Sequence, residues 1–88
     1  MPTLRAPQVV VADAPTDGVA LEGDTVGAVL EDHAERYGPE LRDAVVDGDA
    51  LATHVDVYVD DTGVRRGRGL ATPVDEDSVV RIIPRVYQ

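Results

Sequence analysis

Apolar and polar residues alternate near the middle of the chain, and this alternation predicts a β-strand over residues 54–60. Val55, Val57 and Val59 occupy every second position. Successive side chains of a strand point to opposite faces. We therefore expect these valines to face a core, while the residues between them face away from it.

A second apolar stretch, residues 78–88, is dominated by Val and Ile, which favour the pleated backbone of a strand. It follows an acidic turn at residues 75–77, and Pro84 should end its regular pairing. We expect Val80 and Ile82 to point inward and Arg81 and Arg85 to point outward. This stretch is predicted to be the central strand of a small sheet.

Between these strands and the N-terminus, apolar residues recur at helical spacing and form one stripe, at Val26, Val29, Leu30, His33, Ala34 and Tyr37. Asp24 or Thr25 can cap the free amides of the first turn. Gly38 and Pro39 should end the helix, because Gly accepts the left-handed closing conformation and Pro cannot continue the hydrogen-bond ladder. A short second helical turn is predicted over residues 40–46.

The remaining segments complete an α+β order of elements. Residues 8–12 and 19–22 are predicted strands joined by a turn, and residues 64–66 a short edge strand after a tight turn at residues 61–63. Residues 70–74 form an apolar connector that should tuck under the sheet. The prediction is a single domain over residues 1–88, with residues 1–7 and 85–88 flexible. Its mixed sheet of four to five strands wraps over one main helix, with the first and last strands parallel at the centre.

Charge and composition narrow the possible functions. The net charge is −9, and all eight basic residues are Arg, so Lys is absent. Such an acidic surface argues against nucleic acid as a partner. It also resembles the composition of extreme halophiles, with a GC-rich genome as the alternative explanation. Cys is absent, and no apolar run is long enough to cross a bilayer. We expect a cytoplasmic monomer that binds neither membrane nor nucleic acid and holds no cofactor.

Five segments, in order and spacing, resemble the MoaD/ThiS branch of the ubiquitin-like β-grasp proteins, which includes the small archaeal modifier proteins. TVGAVL at residues 25–30 and AERY at residues 34–37 are similar to the helix of that family. VDVYVD at residues 55–60 is similar to its third strand. GLATPVDEDSV at residues 69–79 is similar to its connector and acidic turn, and IIPRV at residues 82–86 to its closing strand. The resemblance covers residues 19–86 and implies a ubiquitin-like β-grasp fold.

The end of the sequence departs from that family. Its members usually end in Gly-Gly, and a ubiquitin-activating-type enzyme adenylates the terminal carboxylate, which then becomes a thiocarboxylate or an amide linkage to a target. Here the C-terminal tail is Val86, Tyr87 and Gln88, so two side chains stand where the glycines would be. Residues without Cβ allow the closest approach of the backbone to a partner. We therefore expect standard activation to be blocked.

The leading functional expectation is a non-catalytic ubiquitin-like protein that acts through protein–protein interaction, without C-terminal activation. The alternative is a sulfur carrier or a small archaeal ubiquitin-like modifier that is activated at its C-terminal carboxylate. A further alternative is the small subunit of molybdopterin synthase. In each case the expected partner is a protein, with an adenylating, ubiquitin-activating-type enzyme as a candidate. The residues offer no catalytic set, so we expect no enzyme activity.

Two surface groups are candidates for binding a partner. Tyr58, Arg81 and Ile83 should project from the sheet face opposite the helix as a protein-binding patch, although scattered apolar surface residues are also ordinary. A basic cluster at Arg65, Arg66 and Arg68 suits docking to a carboxylate or phosphate, or is a solvated loop.

Histidine offers little support for a metal site. His33 lies on the helix stripe and His54 opens a strand, and the chain has no Cys to join them. Two imidazoles at this spacing make a poor ligand set. We therefore expect structural or surface roles for both residues and no metal site.

Overall fold

A computed structural model describes residues 1–6, 17–48, 50–64 and 67–84. Its elements follow in the order β1 (Thr3–Arg5), β2 (Asp17–Ala20), α1 (Val26–Tyr37), α2 (Glu40–Val45), β3 (Val46–Asp47), β4 (Ala50–Leu51), β5 (Val55–Val59), β6 (Thr62–Gly63), a 3-10 turn (Gly69–Ala71) and β7 (Val79–Pro84).

Five strands form one mixed sheet in the order β2-β1-β7-β5-β6. β7 is the middle strand, as predicted. It pairs in parallel with β1, where Thr3 is opposite Val79 and Arg5 is opposite Arg81. On its other side it pairs antiparallel with β5 from Val59–Val80 to Val55–Pro84. The predicted α+β class, a mixed sheet over one main helix, is confirmed.

The parallel partner of β7 differs from the predicted one. We expected a loose start over residues 1–7, but Thr3–Arg5 forms β1 beside the central strand. The strand predicted at residues 8–12 lies outside the described residues, as do residues 85–88. β2 spans Asp17–Ala20, two residues earlier than the strand predicted at 19–22, and carries an irregularity opposite Leu4 and Arg5.

Helix α1 begins and ends as its sequence predicts. The Thr25 side-chain oxygen accepts a hydrogen bond from the Ala28 N–H at 3.1 Å. Gly38 closes the helix with φ 100° and donates its N–H to the Ala34 carbonyl at 3.0 Å. The apolar stripe is buried at Val26, Val29, Leu30 and His33. Tyr37, expected on the stripe, is instead 42% exposed.

The core is aliphatic and lies between α1 and one face of the sheet. Four strand residues, Leu4 of β1, Val57 of β5, and Val80 and Ile82 of β7, are buried there together with Val26, Val29 and Leu30 of α1. Leu70 and Val74 of the connector pack against this cluster, as predicted. Burying apolar surface in this way is the main favourable contribution to folding.

Two short elements differ from the sequence prediction. Thr62–Gly63 forms the edge strand, because the turn falls at Asp60 and Asp61. Of the edge strand predicted at residues 64–66, Val64 lies outside β6 with a buried side chain, and Arg65 and Arg66 lie outside the described residues. A second sheet of two strands, β3 and β4, forms around Gly48, a segment for which the sequence analysis predicted no strand. Pro84 is the last residue of β7 and is still paired, with Val55.

Candidate functional site

The sheet has a covered face and an open face. Helix α1 covers the first, and the second carries the outward residues of the central strands. We use "open face" for the outward surface formed by Arg5, Asp17, Asp56, Tyr58, Arg81 and Ile83. The alternation in β7 is regular: Val80 and Ile82 are buried, and Arg81 and Ile83 are exposed. The register therefore places three residues on the outward face, as predicted: Tyr58, Arg81 and Ile83.

Four open-face residues lie in one row across four strands. Asp17 is paired with Arg5, Arg5 with Arg81, and Arg81 with Tyr58. Neighbouring strands are about 4.8 Å apart, so the Arg5 and Arg81 side chains start from adjacent positions. Arg5 and Asp17 were not expected on this face, because β1 was not predicted. A strand of three residues with one buried side chain gives no periodic signal.

The two arginines differ in their ionic partners. Arg5 Nη1 lies 3.4 Å from Asp17 Oδ1, and their side chains are 57% and 90% exposed. Such an exposed pair contributes little to stability. Within the described residues, Arg81 has no carboxylate at ion-pair distance. The row therefore contains two guanidinium groups and one partly engaged carboxylate.

Tyr58 has a structural role that the sequence did not indicate. A Cβ placed on Gly63 would lie 3.5 Å from Cε2 of the Tyr58 ring. The ring thus leans over the glycine of the edge strand β6, and Tyr58 is half-buried rather than fully exposed. An aromatic ring over a strand glycine shields a backbone that has no side chain of its own.

Beside the row, the open face holds a shallow cavity of about 260 Å³. It is lined by the two arginines, Asp17, Ala6, Ile82 and Ile83, and of the two isoleucines only Ile83 has an exposed side chain. Ile83 is 45% exposed, which makes it one of the three most exposed large hydrophobic residues of the described chain. A cationic rim next to exposed aliphatic carbon can bind a group that is both anionic and apolar.

Of the basic cluster, the structure describes only Arg68, which is separate from this row. Arg68 is exposed and precedes the 3-10 turn, where Gly69 donates its N–H to the Val64 carbonyl at 2.9 Å. It is absent from the lining of the open-face cavity. Arg65 and Arg66 lie outside the described residues, as do the tail residues Val86, Tyr87 and Gln88.

The two histidines are in different environments. His33 is fully buried on α1, with its ring centroid 5.0 Å from that of Tyr37. His54 is exposed in the turn before β5. In the part of the chain that the structure describes, no three His, Cys, Asp or Glu side chains are grouped so that they could hold a metal ion.

One carboxylate connects the helix to the loop before it. Asp32 Oδ2 accepts the Glu22 N–H at 2.8 Å and lies 2.9 Å from Nε of Arg36. The hydrogen bond from Glu22 is the main cause that lowers the pKa of Asp32, and Arg36 lowers it further against the opposing effect of burial. The ionised form of Asp32 is therefore favoured in the folded protein.

The five-stranded mixed sheet over α1 places the chain in the ubiquitin-like β-grasp class. The ThiS family model matches residues 9–87, and the chain belongs to the ThiS family. It is 38% identical over 71 residues to the sulfur carrier protein CysO of Mycobacterium tuberculosis, an alignment that covers 77% of this chain and 75% of that protein. The resemblance predicted from the five sequence segments is confirmed.

Two solved structures share the fold. A chain in the crystal structure of the Amycolatopsis orientalis BexX/CysO complex superposes with a TM-score of 0.89 and 25% identity, covering 100% of this chain and 99% of that one. The solution structure of the small archaeal modifier protein 1 from Methanosarcina acetivorans has a TM-score of 0.79 and 21% identity, covering 99% and 94%. At that identity, the second likeness shows the fold alone.

The comparisons overturn our leading functional expectation. We expected an interaction module that has no C-terminal activation, on the ground that Tyr87 and Gln88 stand in place of two glycines. The relative CysO from Mycobacterium tuberculosis is a sulfur carrier protein, which matches the alternative expectation instead. The side chains of two terminal residues were thus given more weight than the similarity of the rest of the chain.

The described residues include no helix that is both long and apolar enough to span a membrane.

Proposed function

We propose that this chain is a sulfur carrier. The observation that carries the proposal is its 38% identity, over 71 residues, to the sulfur carrier protein CysO. The match of the ThiS family model to residues 9–87 supports the same function. In this proposal the chain carries the sulfur atom and does not itself catalyse its transfer.

The chemistry that the family resemblance implies uses the C-terminal carboxylate. A carboxylate oxygen attacks the α-phosphorus of ATP, and pyrophosphate leaves to give an acyl adenylate. Hydrosulfide then attacks the acyl carbon, so that a C–S bond forms, the C–O bond to AMP breaks and AMP leaves. The thiocarboxylate that results holds sulfur in a form ready for transfer.

The fold supports this role through the position of β7. The strand lies in the middle of the sheet and is paired on both sides, with β1 at Val79–Arg81 and with β5 as far as Pro84. The chain that follows Pro84 therefore starts from a rigid base. A partner that holds the open face would therefore be held against the strand that leads to the reactive end.

A protein partner is part of the proposal. The Amycolatopsis orientalis CysO was crystallised in a complex with BexX, which supports protein contact as the mode of action here. We propose an adenylating, ubiquitin-activating-type enzyme as one partner, because the carboxylate must be activated before sulfur can displace oxygen.

Mass spectrometry of the protein from its native host tests sulfur carriage. Peptide mapping would define the true C-terminal peptide, and its intact mass should include a species in which one sulfur replaces one oxygen. That species should react with an alkylating reagent at neutral pH, whereas the carboxylate form should not. Because the chain has no Cys, alkylation would report the thiocarboxylate without background from thiols.

The matched control is the same chain expressed without residues 85–88, which should show neither the mass increase nor the alkylation. The proposal would be rejected if the full chain, incubated with ATP, a sulfur donor and its cognate adenylating enzyme, yielded neither acyl adenylate nor thiocarboxylate.

A further inference from the structure

We infer that the open face binds a protein segment that presents carboxylates beside an apolar side chain, and that Arg5 and Arg81 together form the anion-binding element. This inference does not depend on sulfur transfer, since a chain that carried no sulfur would offer the same face. It adds to the predicted patch of Tyr58, Arg81 and Ile83 a second arginine and a chemical class of ligand.

The register of the sheet places the two arginines side by side. Arg5 and Arg81 are opposite each other on parallel neighbouring strands, and both are exposed. A carboxylate placed between two adjacent guanidinium groups can accept hydrogen bonds from both. Arginine suits this arrangement because its planar group presents several donors in a fixed geometry.

The paired arginines carry an electrostatic cost in the isolated chain. Like charges at opposed positions of neighbouring strands repel each other. In a chain with 17 acidic residues, the neighbouring strands could relieve this repulsion with carboxylates. Asp17 does so for Arg5 through one exposed contact at 3.4 Å, and the described residues place no carboxylate at that distance from Arg81. A carboxylate from a partner would satisfy the unused guanidinium donors.

Exposed apolar surface lies next to the arginines. Ile83 follows Arg81 on the same face of β7 and is 45% exposed, and the partly exposed Ala6 also lines the cavity. Removing such surface from water would favour binding. The aliphatic surface therefore favours a segment that has an apolar side chain as well as carboxylates.

The charge of the Arg5–Arg81 pair disfavours a basic segment as the ligand. A basic segment would be attracted to the overall net charge of −9, yet it would meet two guanidinium groups at the centre of the open face. The open face also carries Asp17 and Asp56, but the Asp17–Arg5–Arg81–Tyr58 row has two guanidinium groups and one carboxylate. The partner that fits this row is thus one that brings a carboxylate to the arginine pair and an apolar side chain to Ile83.

A titration followed by NMR tests the inference with a defined probe. The probe is the blocked peptide acetyl-Glu-Ser-Leu-Ser-Glu-amide, in which Glu, Leu and Glu share one side of an extended chain. Its control replaces both Glu by Gln. We expect the Glu peptide to shift the backbone amide signals of Arg5, Arg81 and Ile83 in a saturable way, and to bind about tenfold more tightly than the Gln peptide.

Substitutions on the protein show whether the peptide binds at the Arg5–Arg81 pair or at the basic cluster. Arg81→Gln and Arg5→Gln should each weaken binding of the Glu peptide by about tenfold, and Arg81→Lys should weaken it less. Arg68→Gln is the matched control, since Arg68 is also exposed but lies outside the cavity lining. Unchanged spectra away from the substitution would show that each variant remains folded.

Four outcomes would overturn the inference. The first is equal affinity for the Glu and Gln peptides, which would indicate apolar binding alone. The second is a loss of binding in Arg68→Gln with no loss in Arg81→Gln, which would move the site to the basic cluster. The third is no saturable shift at the open face. The fourth is a set of dilution-dependent shifts without peptide, which would identify a second copy of this chain as the occupant.

Discussion

Asp60 and Val79 are joined by two hydrogen bonds. The Asp60 N–H donates to the Val79 carbonyl at 2.8 Å, and Asp60 Oδ1 accepts the Val79 N–H at 3.1 Å. Asp60 also has φ 55°, the one positive φ of a non-glycine residue in the described chain. The turn after β5 is thereby fixed to the first residue of the central strand, because Asp tolerates the left-handed conformation and supplies an acceptor.

Substitutions at Asp60 should separate its two roles. Asp60→Gly loses the side-chain hydrogen bond but accepts the positive φ, and should lower the free energy of unfolding by about 1 kcal/mol. Asp60→Ala loses the bond and is strained as well, so it should cost about 2 kcal/mol. Asp60→Asn should cost the least. Urea denaturation would measure the order, and equal losses for Gly and Ala would contradict it.

Gly23 should be far less tolerant of substitution than Gly48. Both have positive φ, of 155° and 65°. A Cβ on Gly23 would lie 2.7 Å from the Val29 nitrogen, whereas one on Gly48 would have nothing within 4 Å. Gly48→Ala should therefore cost about 1 kcal/mol from backbone strain alone. Gly23→Ala should cost about 3 kcal/mol or more, since the helix must move.

Thermal unfolding of the two glycine variants, followed by circular dichroism, would measure the difference. Similar losses in both proteins would show that the contact between Gly23 and the start of α1 relaxes without cost.

Asp32 should contribute to stability in a pH-dependent way. Its pKa is lowered from the usual 3.8 in the folded chain, chiefly by the Glu22 N–H. A carboxyl whose folded pKa is depressed stabilises the fold above its unfolded pKa, and this contribution is lost as the pH falls through the folded value. Asp32→Asn should thus be less stable than wild type at pH 7, by about 1 kcal/mol.

The difference between Asp32→Asn and wild type should shrink as the pH falls below 3.8. Urea unfolding across this range would test it. Comparing the two proteins at each pH removes the general effect of neutralising the other acidic residues, and a difference that stayed constant would contradict the assignment.

Adjacent isoleucines of β7 offer a test of the two faces of the sheet. Ile82 is 1% exposed and lies in the core, while Ile83 is on the open face. Ile82→Ala should lower the free energy of unfolding by about 2–5 kcal/mol. Ile83→Ala should change it by about 0.5 kcal/mol or less. The opposite ranking in denaturant melts would place the core on the other face of the sheet.

The elements that could be predicted from the sequence are those whose local residue pattern determines their structure. α1 has a cap at Thr25, an apolar stripe and a terminating Gly38, and β5 and β7 have clear alternation or β-branched composition. β1 was not predicted, because Thr3–Arg5 owes its strand conformation to pairing with residues 79–81, far away in sequence. Tertiary contacts of this kind override weak local preferences.

The same distinction applies to the open face. Tyr58, Arg81 and Ile83 followed from the period of two in β5 and β7. Arg5 did not, because its place beside Arg81 depends on β1. The sulfur-carrier function was likewise underestimated, since two residues at the end, Tyr87 and Gln88, were weighed against a resemblance that extends over most of the chain.

The pairing of Thr3 with Val79 has a consequence for synthesis of the protein. β1 is synthesised before β7 but cannot join the rest of the sheet until β7 follows, because β7 separates β1 from β5 and the core lacks Val80 and Ile82 until then. Contacts between distant parts of a sequence slow folding. On the ribosome, a nascent chain that stops before residue 79 would have two unconnected halves of a sheet, so a prematurely terminated product would be left unfolded and open to proteolysis.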